Sequence, residues 1–355
     1  MILTDPYGAG PSNTEESLSF MPEISAYESD ALPGETVDAV VIGGGPAGLN
    51  GALMLARSRR TVVVIDSGAP RNAPAEAMHG FISLDGTPPL DLLDRARQQV
   101  RSYGGMIVLG EVVSAQPGEP AADGDLRFAV ALADARTITA RRVLIATGLR
   151  DVLPDVPGLA RHWGHSVIHC PYCHGWEVRD EPIGVLATGS SSIHQALLFR
   201  QLTDDLVYFT RGIDLDDDTR ARFAARNIRV VDTAVVEVVD DVDGSLAGVR
   251  LADGTLVERR IIAVATAMQA RTEGLEGLGL PMETLPDDMG RRFASGMAGT
   301  TDVPGVWVAG NATDLAAQVG ASAAAGALAG AHINALLVTF DTDAAVGAAH
   351  SNATT

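Results

Sequence analysis

The chain has 355 residues, 46% of them hydrophobic, which is enough to bury two cores of ordinary size. Its 45 acidic residues against 26 basic ones give a formal net charge of -19 with no basic cluster, which argues against nucleic acid or an anionic membrane as a partner. The two cysteines, Cys170 and Cys173, are too few for a secreted disulfide framework, and the amino terminus has no basic-then-apolar leader, so a cytoplasmic location is expected.

Residues 1–35 are rich in Pro, Ser, Gly and Glu without periodicity and read as a mobile tail. The β-branched run Val37 to Ile42 then enters Gly43-Gly44-Gly45-Pro46-Ala47-Gly48, followed by the helical Leu49 to Ser58. This is GxGxxG in its strand, turn and helix context. Gly43 permits the tight turn, Gly45 lets backbone approach a pyrophosphate, and Gly48 lets the helix pack on the strand. The helix start, with Pro46 and Ala47, offers amide donors and a positive dipole end to an anion. A second strand, Thr61 to Ile65, ends at Asp66, about 20 residues past the turn, where an acid can accept hydrogen bonds from a ribose.

Further β-branched runs follow at Val143 to Ala146, Ile183 to Ala187, Leu206 to Thr210, Ile261 to Ala265 and Val306 to Ala309, separated by amphipathic or Ala-rich stretches. Such alternation predicts an α/β fold with parallel sheets covered by helices. Leu149 to Leu159, with Pro154, Pro157 and Gly158, is a poor helix or strand and reads as a hinge, and a second break falls at Ala267 to Leu280. One domain, 36–150 with 270–340, is therefore interrupted by another, 151–269. Gln318 to Val338 is long enough to test as a membrane span, but its Ala and Gly content with Ser322, His332 and Asn334 predicts a buried helix. Residues 341–355 read as a second mobile tail.

Cys170-Pro171-Tyr172-Cys173-His174-Gly175 places two thiols at CxxC spacing with an imidazole beside the second. A two-electron dithiol/disulfide centre follows, in which one thiolate exchanges with substrate, the other passes electrons to a flavin, and His174 supplies and removes the proton. Two other readings stand beside it. His162, His165, His169 and His174 surround the pair and could join it in a zinc site, which would make the protein a non-catalytic flavin- or zinc-binding protein, or the thiols could be inert and buried.

With Ala146-Thr147-Gly148 before the hinge and Gly305-Val306-Trp307-Val308-Ala309-Gly310-Asn311 late in the chain, the sequence resembles the low-molecular-weight thioredoxin reductases over about 36–338. The CPYCHG form, Gly68-Ala69-Pro70-Arg71-Asn72 and His79-Gly80-Phe81 look like the branch of gliotoxin and holomycin dithiol oxidases. The resemblance implies two Rossmann-like domains, FAD on the discontinuous one, an NAD(P)-type domain carrying the CxxC, a homodimer, and a small dithiol or thioredoxin-like protein as substrate. It implies that Cys173 faces the flavin and Cys170 exchanges with substrate. Beyond the first turn it places Arg71, His79, Val112 and Ala146 at the cofactor. From the carboxy-terminal stretch it adds Gly310, Asn311, Gln318 and Val319, with Asn311 where the family usually has an aspartate. The loop Pro70 to Pro89 is placed over the flavin.

The second nucleotide turn departs from that pattern. Ala187-Thr188-Gly189-Ser190-Ser191-Ser192 keeps one glycine of the expected GxGxxA. Arg211 is followed by Gly212-Ile213-Asp214-Leu215-Asp216-Asp217-Asp218, an acidic run that should repel a 2'-phosphate. NAD(P)H binding is therefore doubtful, and dithiol oxidation with oxygen as acceptor is expected over the alternative, NAD(P)H-dependent thioredoxin reduction.

Overall fold

A computed structural model describes residues 28–353 apart from residue 288. Of the tail assigned to 1–35, residues 1–27 lie outside the described residues, whereas its later part is anchored: the Asp30 amide donates to the Ile107 carbonyl, and its carboxylate accepts from Arg101 and the Ile107 amide.

The chain opens with β1 (Val37–Ile42), α1 (Pro46–Arg57), β2 (Val62–Asp66), α2 (Pro89–Ser102), β3 (Met106–Leu109), β4 (Val112–Pro117), β5 (Phe128–Leu132) and β6 (Thr137–Ile145). β7 (Leu149–Val152) leads to β8 (Val167–Ile168), α3 (Pro171–His174), β9 (Ile183–Leu186), α4 (Ser191–Phe199), β10 (Leu206–Phe209), α5 (Asp217–Ala225) and β11 (Arg229–Val231). A meander of β12 (Val235–Asp240), β13 (Leu246–Leu251) and β14 (Leu256–Glu258) precedes β15 (Ile261–Val264) and β16 (Ala267–Ala270). The chain closes with β17 (Met282–Leu285), β18 (Gly290–Phe293), β19 (Val306–Val308) and α6 (Val319–Ala353).

Four sheets result. One runs β3-β2-β1-β6-β5-β4 with β19 also on β6, and its β1, β2, β3, β6 and β19 are mutually parallel. A second, β11-β10-β9-β15-β8, is parallel throughout. Their central strands are buried on both faces, but helices cover only one face of each: α1, α2 and α6 on the first sheet and α4 and α5 on the second, while residues of β4 and β5 and of the β12–β14 meander pack on the opposite faces. The fold is the expected α/β arrangement of two Rossmann-like units. The hinge differs from its sequence reading: β7 pairs antiparallel with β16, and β17 and β18 extend this ribbon. The two crossings between the units thus brace one another through backbone hydrogen bonds, which local composition at either crossing does not encode.

α6 corrects a second expectation. Residues 341–353 are no tail but the continuation of one 35-residue helix, as their Ala-rich composition favours. The helix is long and apolar enough to cross a membrane. It is buried on one side only: Ala329, Ile333 and Leu337 pack toward α1, while Leu328 and Val338 are exposed. At Gly326 the two helices approach so closely that a Cβ would lie 1.9 Å from the Ala47 carbonyl oxygen.

The far end of α6 is tied to the sheet by charge. Asp341 accepts from Arg60 and Arg141; Arg141 also bonds Asp38 and Asp125, and Asp125 accepts from Arg127 and Arg142 as well. Asp125 is 2% exposed. Burial alone would raise its pKa, but hydrogen bonds from Arg142, Arg141 and Arg127 outweigh that and hold the carboxyl below its ordinary value. Because the folded pKa is depressed, this contribution to stability is present above the unfolded pKa and is lost as pH falls through the folded one. Asp125→Asn, which removes the anion shared by three guanidinium groups, should cost about 3 kcal/mol at neutral pH, read as a drop in thermal midpoint that narrows on acidification.

Candidate active site

One cavity of about 1010 Å³ joins the first nucleotide turn to the cysteine pair. That is the upper end of the range for small-molecule sites. Its first wall is the turn after β1. Gly43 has φ 109°, and a Cβ there would lie 2.3 Å from the Ala146 carbonyl oxygen; at Gly48 it would lie 1.9 Å from the Gly43 carbonyl oxygen. Both positions therefore require glycine. Gly45, the N-cap of α1, is different: a Cβ built there meets nothing within 4 Å, and no side chain caps the helix start. A hollow faced by free helix amides remains, which fits a pyrophosphate.

Pro46, Ala47, Asp66, Val112 and Ala146 line the same cavity. The Asp66 carboxylate accepts from the Gly68 amide at 3.1 Å and from Arg97 at 3.1 Å. Arg97, 4% exposed, is a partner that α2 delivers from more than one turn of fold away and that no motif announced. The donor set, an open helix start with an acid at the end of the second strand, fits a dinucleotide.

The loop between β2 and α2 covers one side through Ala69, Pro70, Arg71, Asn72, Pro74, Met78 and His79. Arg71 makes a bidentate pair with Asp151 of the hinge at 2.6 and 2.7 Å. Burial works to raise the Asp151 pKa, but Arg71, aided by a hydrogen bond from Thr266, holds the carboxyl below its ordinary value. His79 sits between Asp85 of its own loop at 3.3 Å and Glu177 beyond the redox turn at 3.4 Å, so it bridges the two units.

The pair occupies a tight helical turn. Cys170 is the N-cap of α3, Pro171 is its first residue, and the Cys173 amide donates to Cys170 Sγ at 3.1 Å. The two sulfurs form a disulfide with Cα atoms 5.3 Å apart. Gln195 of α4 anchors the approach by donating to the His169 carbonyl at 2.6 Å. Gln318, at the start of α6, brings Nε2 within 4.0 Å of Cys170 Sγ and 3.9 Å of Cys173 Sγ. Val319 follows it in the cavity wall.

His174 lies beside Cys173 with both ring nitrogens buried and without a hydrogen-bond partner among the described residues. Burial is the main cause of a pKa below the ordinary histidine value, so the imidazole is held neutral. The other histidines are dispersed. His162 Nε2 is 2.7 Å from Asp240, and His169 Nδ1 faces the Val264 carbonyl at 3.1 Å. No group of three or more His, Cys, Asp or Glu suited to a metal occurs among the described residues.

Two residues from the late stretch serve the loop before α6. Gly310, φ 72°, abuts Ala47, and the Asn311 side-chain nitrogen donates to the carbonyls of Asp314, Leu315 and Ala317. Asn311 thus shapes the segment that presents Gln318.

The second nucleotide turn is built differently from the first. Thr188 Oγ1 donates to the Ala265 carbonyl at 2.6 Å, and Ser190 Oγ donates to the Asp287 carboxylate at 2.7 Å. Arg211 turns inward to the Ala187 carbonyl at 2.8 Å. The acidic run has a local role: Asp216 caps α5 by accepting from the Thr219 amide at 2.7 Å, with Asp217 and Asp218 in its first turn.

Residues 37–330 match the model of the pyridine nucleotide-disulphide oxidoreductase family. The chain is 34% identical over 283 residues to thioredoxin reductase tcpT of Claviceps purpurea, covering 78% of this chain and 86% of that one. Thioredoxin reductase aclD of Aspergillus oryzae is 31% identical over 288 residues, covering 77% and 88%. Among solved structures, that of HlmI superposes with a TM-score of 0.84 at 42% identity, over 92% of this chain and 100% of that one. The chain belongs to the pyridine nucleotide-disulphide oxidoreductase family, as a thioredoxin-reductase-like, FAD-dependent disulfide oxidoreductase.

Proposed function

We propose that this enzyme oxidises a small dithiol to a disulfide through Cys170 and Cys173, with oxygen as the final acceptor and without a nicotinamide cofactor. The observation that carries the reading is the second nucleotide turn, where Asp287 bonds Ser190 and Arg211 is spent on the Ala187 carbonyl. A carboxylate at that helix start repels a pyrophosphate, and an arginine turned inward cannot meet a 2'-phosphate. FAD would be held by Gly43, Gly45, Pro46, Ala47 and Asp66 at its dinucleotide portion and faced by Val112, Ala146, Gln318 and Val319. When bound, it supplies a two-electron acceptor that oxygen can restore.

The chain's own part is thiol exchange. A substrate thiolate attacks Cys170 Sγ, and the Cys170–Cys173 bond breaks with Cys173 leaving as thiolate. The second substrate thiol then attacks its own sulfur in the mixed disulfide, and Cys170 leaves as thiolate, favoured by the Cys173 amide. The neutral His174 takes a thiol proton on Nδ1 or Nε2, the two atoms that lack a partner in the disulfide form. Relatives named thioredoxin reductase keep nicotinamide-dependent reduction as the second reading. With a small dithiol in air and no nicotinamide, the enzyme should consume oxygen and form disulfide and hydrogen peroxide in equal amounts. Turnover that waits for NADPH would reverse the direction.

A further inference from the structure

The cavity continues beyond the nucleotide cradle and the disulfide to the side of α4. There His194 and Leu198 join Tyr172 of α3 in its wall, and α3 packs on α4. Gln195, on the same helix, fixes this wall to the redox turn through the carbonyl of the residue before Cys170. Tyr172 is 67% exposed although it lies between the two cysteines, so an apolar ring stands open at the reactive sulfur.

Charge is distributed unevenly around this space. The chain contains no lysine. The arginines of the cavity all belong to the hinge side, where Arg71 is held by Asp151, Arg150 by Glu273, and Arg271 by the Ala69 carbonyl. Neither α3 nor α4 contributes an arginine to the cavity wall, where their titratable side chains are His174 and His194, and the charged residue that follows α3 is the acid Glu177. An anionic substrate seated here would meet no arginine, whereas an apolar one would bury against Tyr172 and Leu198.

We infer that the wall between α3 and α4 seats the body of the substrate, and that Tyr172 and Leu198 select a small, neutral, apolar thiol compound over an anionic one. The inference rests on Cys170 as the exchanging sulfur, but its test needs neither flavin nor oxygen nor dithiol turnover. In a Cys173→Ser background the Cys170 thiolate attacks the sulfenyl sulfur of a methanethiosulfonate. A Cys170–S bond forms and methanesulfinate leaves with the electron pair, so each event adds the mass of one S-alkyl group less a hydrogen.

Labelling rates would be compared for the benzyl, 2-carboxyethyl and methyl reagents, each divided by its rate with free cysteine. The benzyl-to-methyl ratio should exceed the free-cysteine ratio by about tenfold, the scale of one aromatic contact. Tyr172→Ala should return it toward the free-cysteine value while Tyr172→Phe retains it, a contrast that general loss of structure would not give. Leu198→Arg should raise the carboxyethyl-to-methyl ratio about tenfold by supplying the missing counter-charge. A benzyl-to-methyl ratio equal to that of free cysteine, or one unmoved by Tyr172→Ala, would overturn the assignment. If labelling selects benzyl but oxygen uptake still requires NADPH, the subsite stands and the direction falls.

Discussion

Replacing Cys170 or Cys173 with serine is expected to lower dithiol turnover by about 10⁴-fold or more, because the two sulfurs act as one unit and neither half can hold two electrons. The variants should differ in what they accumulate. In Cys173→Ser the exchanging sulfur survives, so an activated substrate disulfide adds to Cys170 and stays, with no neighbour to displace it. In Cys170→Ser the sulfur that accepts the Cys173 amide hydrogen bond is gone, and adduct should form slowly or not at all. Intact mass after mixing separates the two. Turnover within about tenfold of the unmodified enzyme in either variant would end the role of the pair.

Gly45→Val should cost about 100-fold or more in FAD affinity while leaving the apoprotein folded, a combination that only a cradle position would show. The added Cβ meets no protein atom within 4 Å, so the fold has room for it. That same room is where a pyrophosphate would approach the amides of α1, and a branched side chain would fill it. Gly48→Ala serves as the contrast. Its Cβ would lie 1.9 Å from the Gly43 carbonyl oxygen, so it should destabilise the protein itself by about 2 kcal/mol or more. Flavin content and apoprotein melting, measured together, distinguish loss of cradle from loss of fold.

Much of the architecture was legible because it is local. The turn at Gly43 to Gly48, the β-branched runs and the CxxC spacing each state their conformation within a few residues. The site was legible only in part, because its partners meet across the fold. Arg71 and Asp151 are 80 positions apart, and Ser190 and Asp287 are 97 apart. Neither pairing leaves a periodic signal. The acidic run after Arg211 was visible as charge, but its work as the cap of α5 depends on the Asp216 backbone being extended there. The carboxylate that reaches the second turn is instead Asp287, from a different unit of the protein.

The end of the chain misled for a different reason. Residues 341–353 are small and polar enough to resemble a tail, yet the same alanines favour helix, and Asp341 finds two arginines that only the folded sheet brings together. His174 was identifiable by its place beside Cys173. That both of its nitrogens are buried and without a partner among the described residues, with burial lowering the imidazole pKa, required the packing of the redox turn.

The claim that dithiol electrons enter through Cys170 and Cys173 is tested most directly by anaerobic titration of the flavin-loaded protein, followed by flavin absorbance, with a small dithiol, NADH and NADPH in separate cells. The account predicts that the dithiol bleaches the flavin and that neither nicotinamide does so on the timescale of turnover. Rapid bleaching by NADPH with none by the dithiol would contradict it.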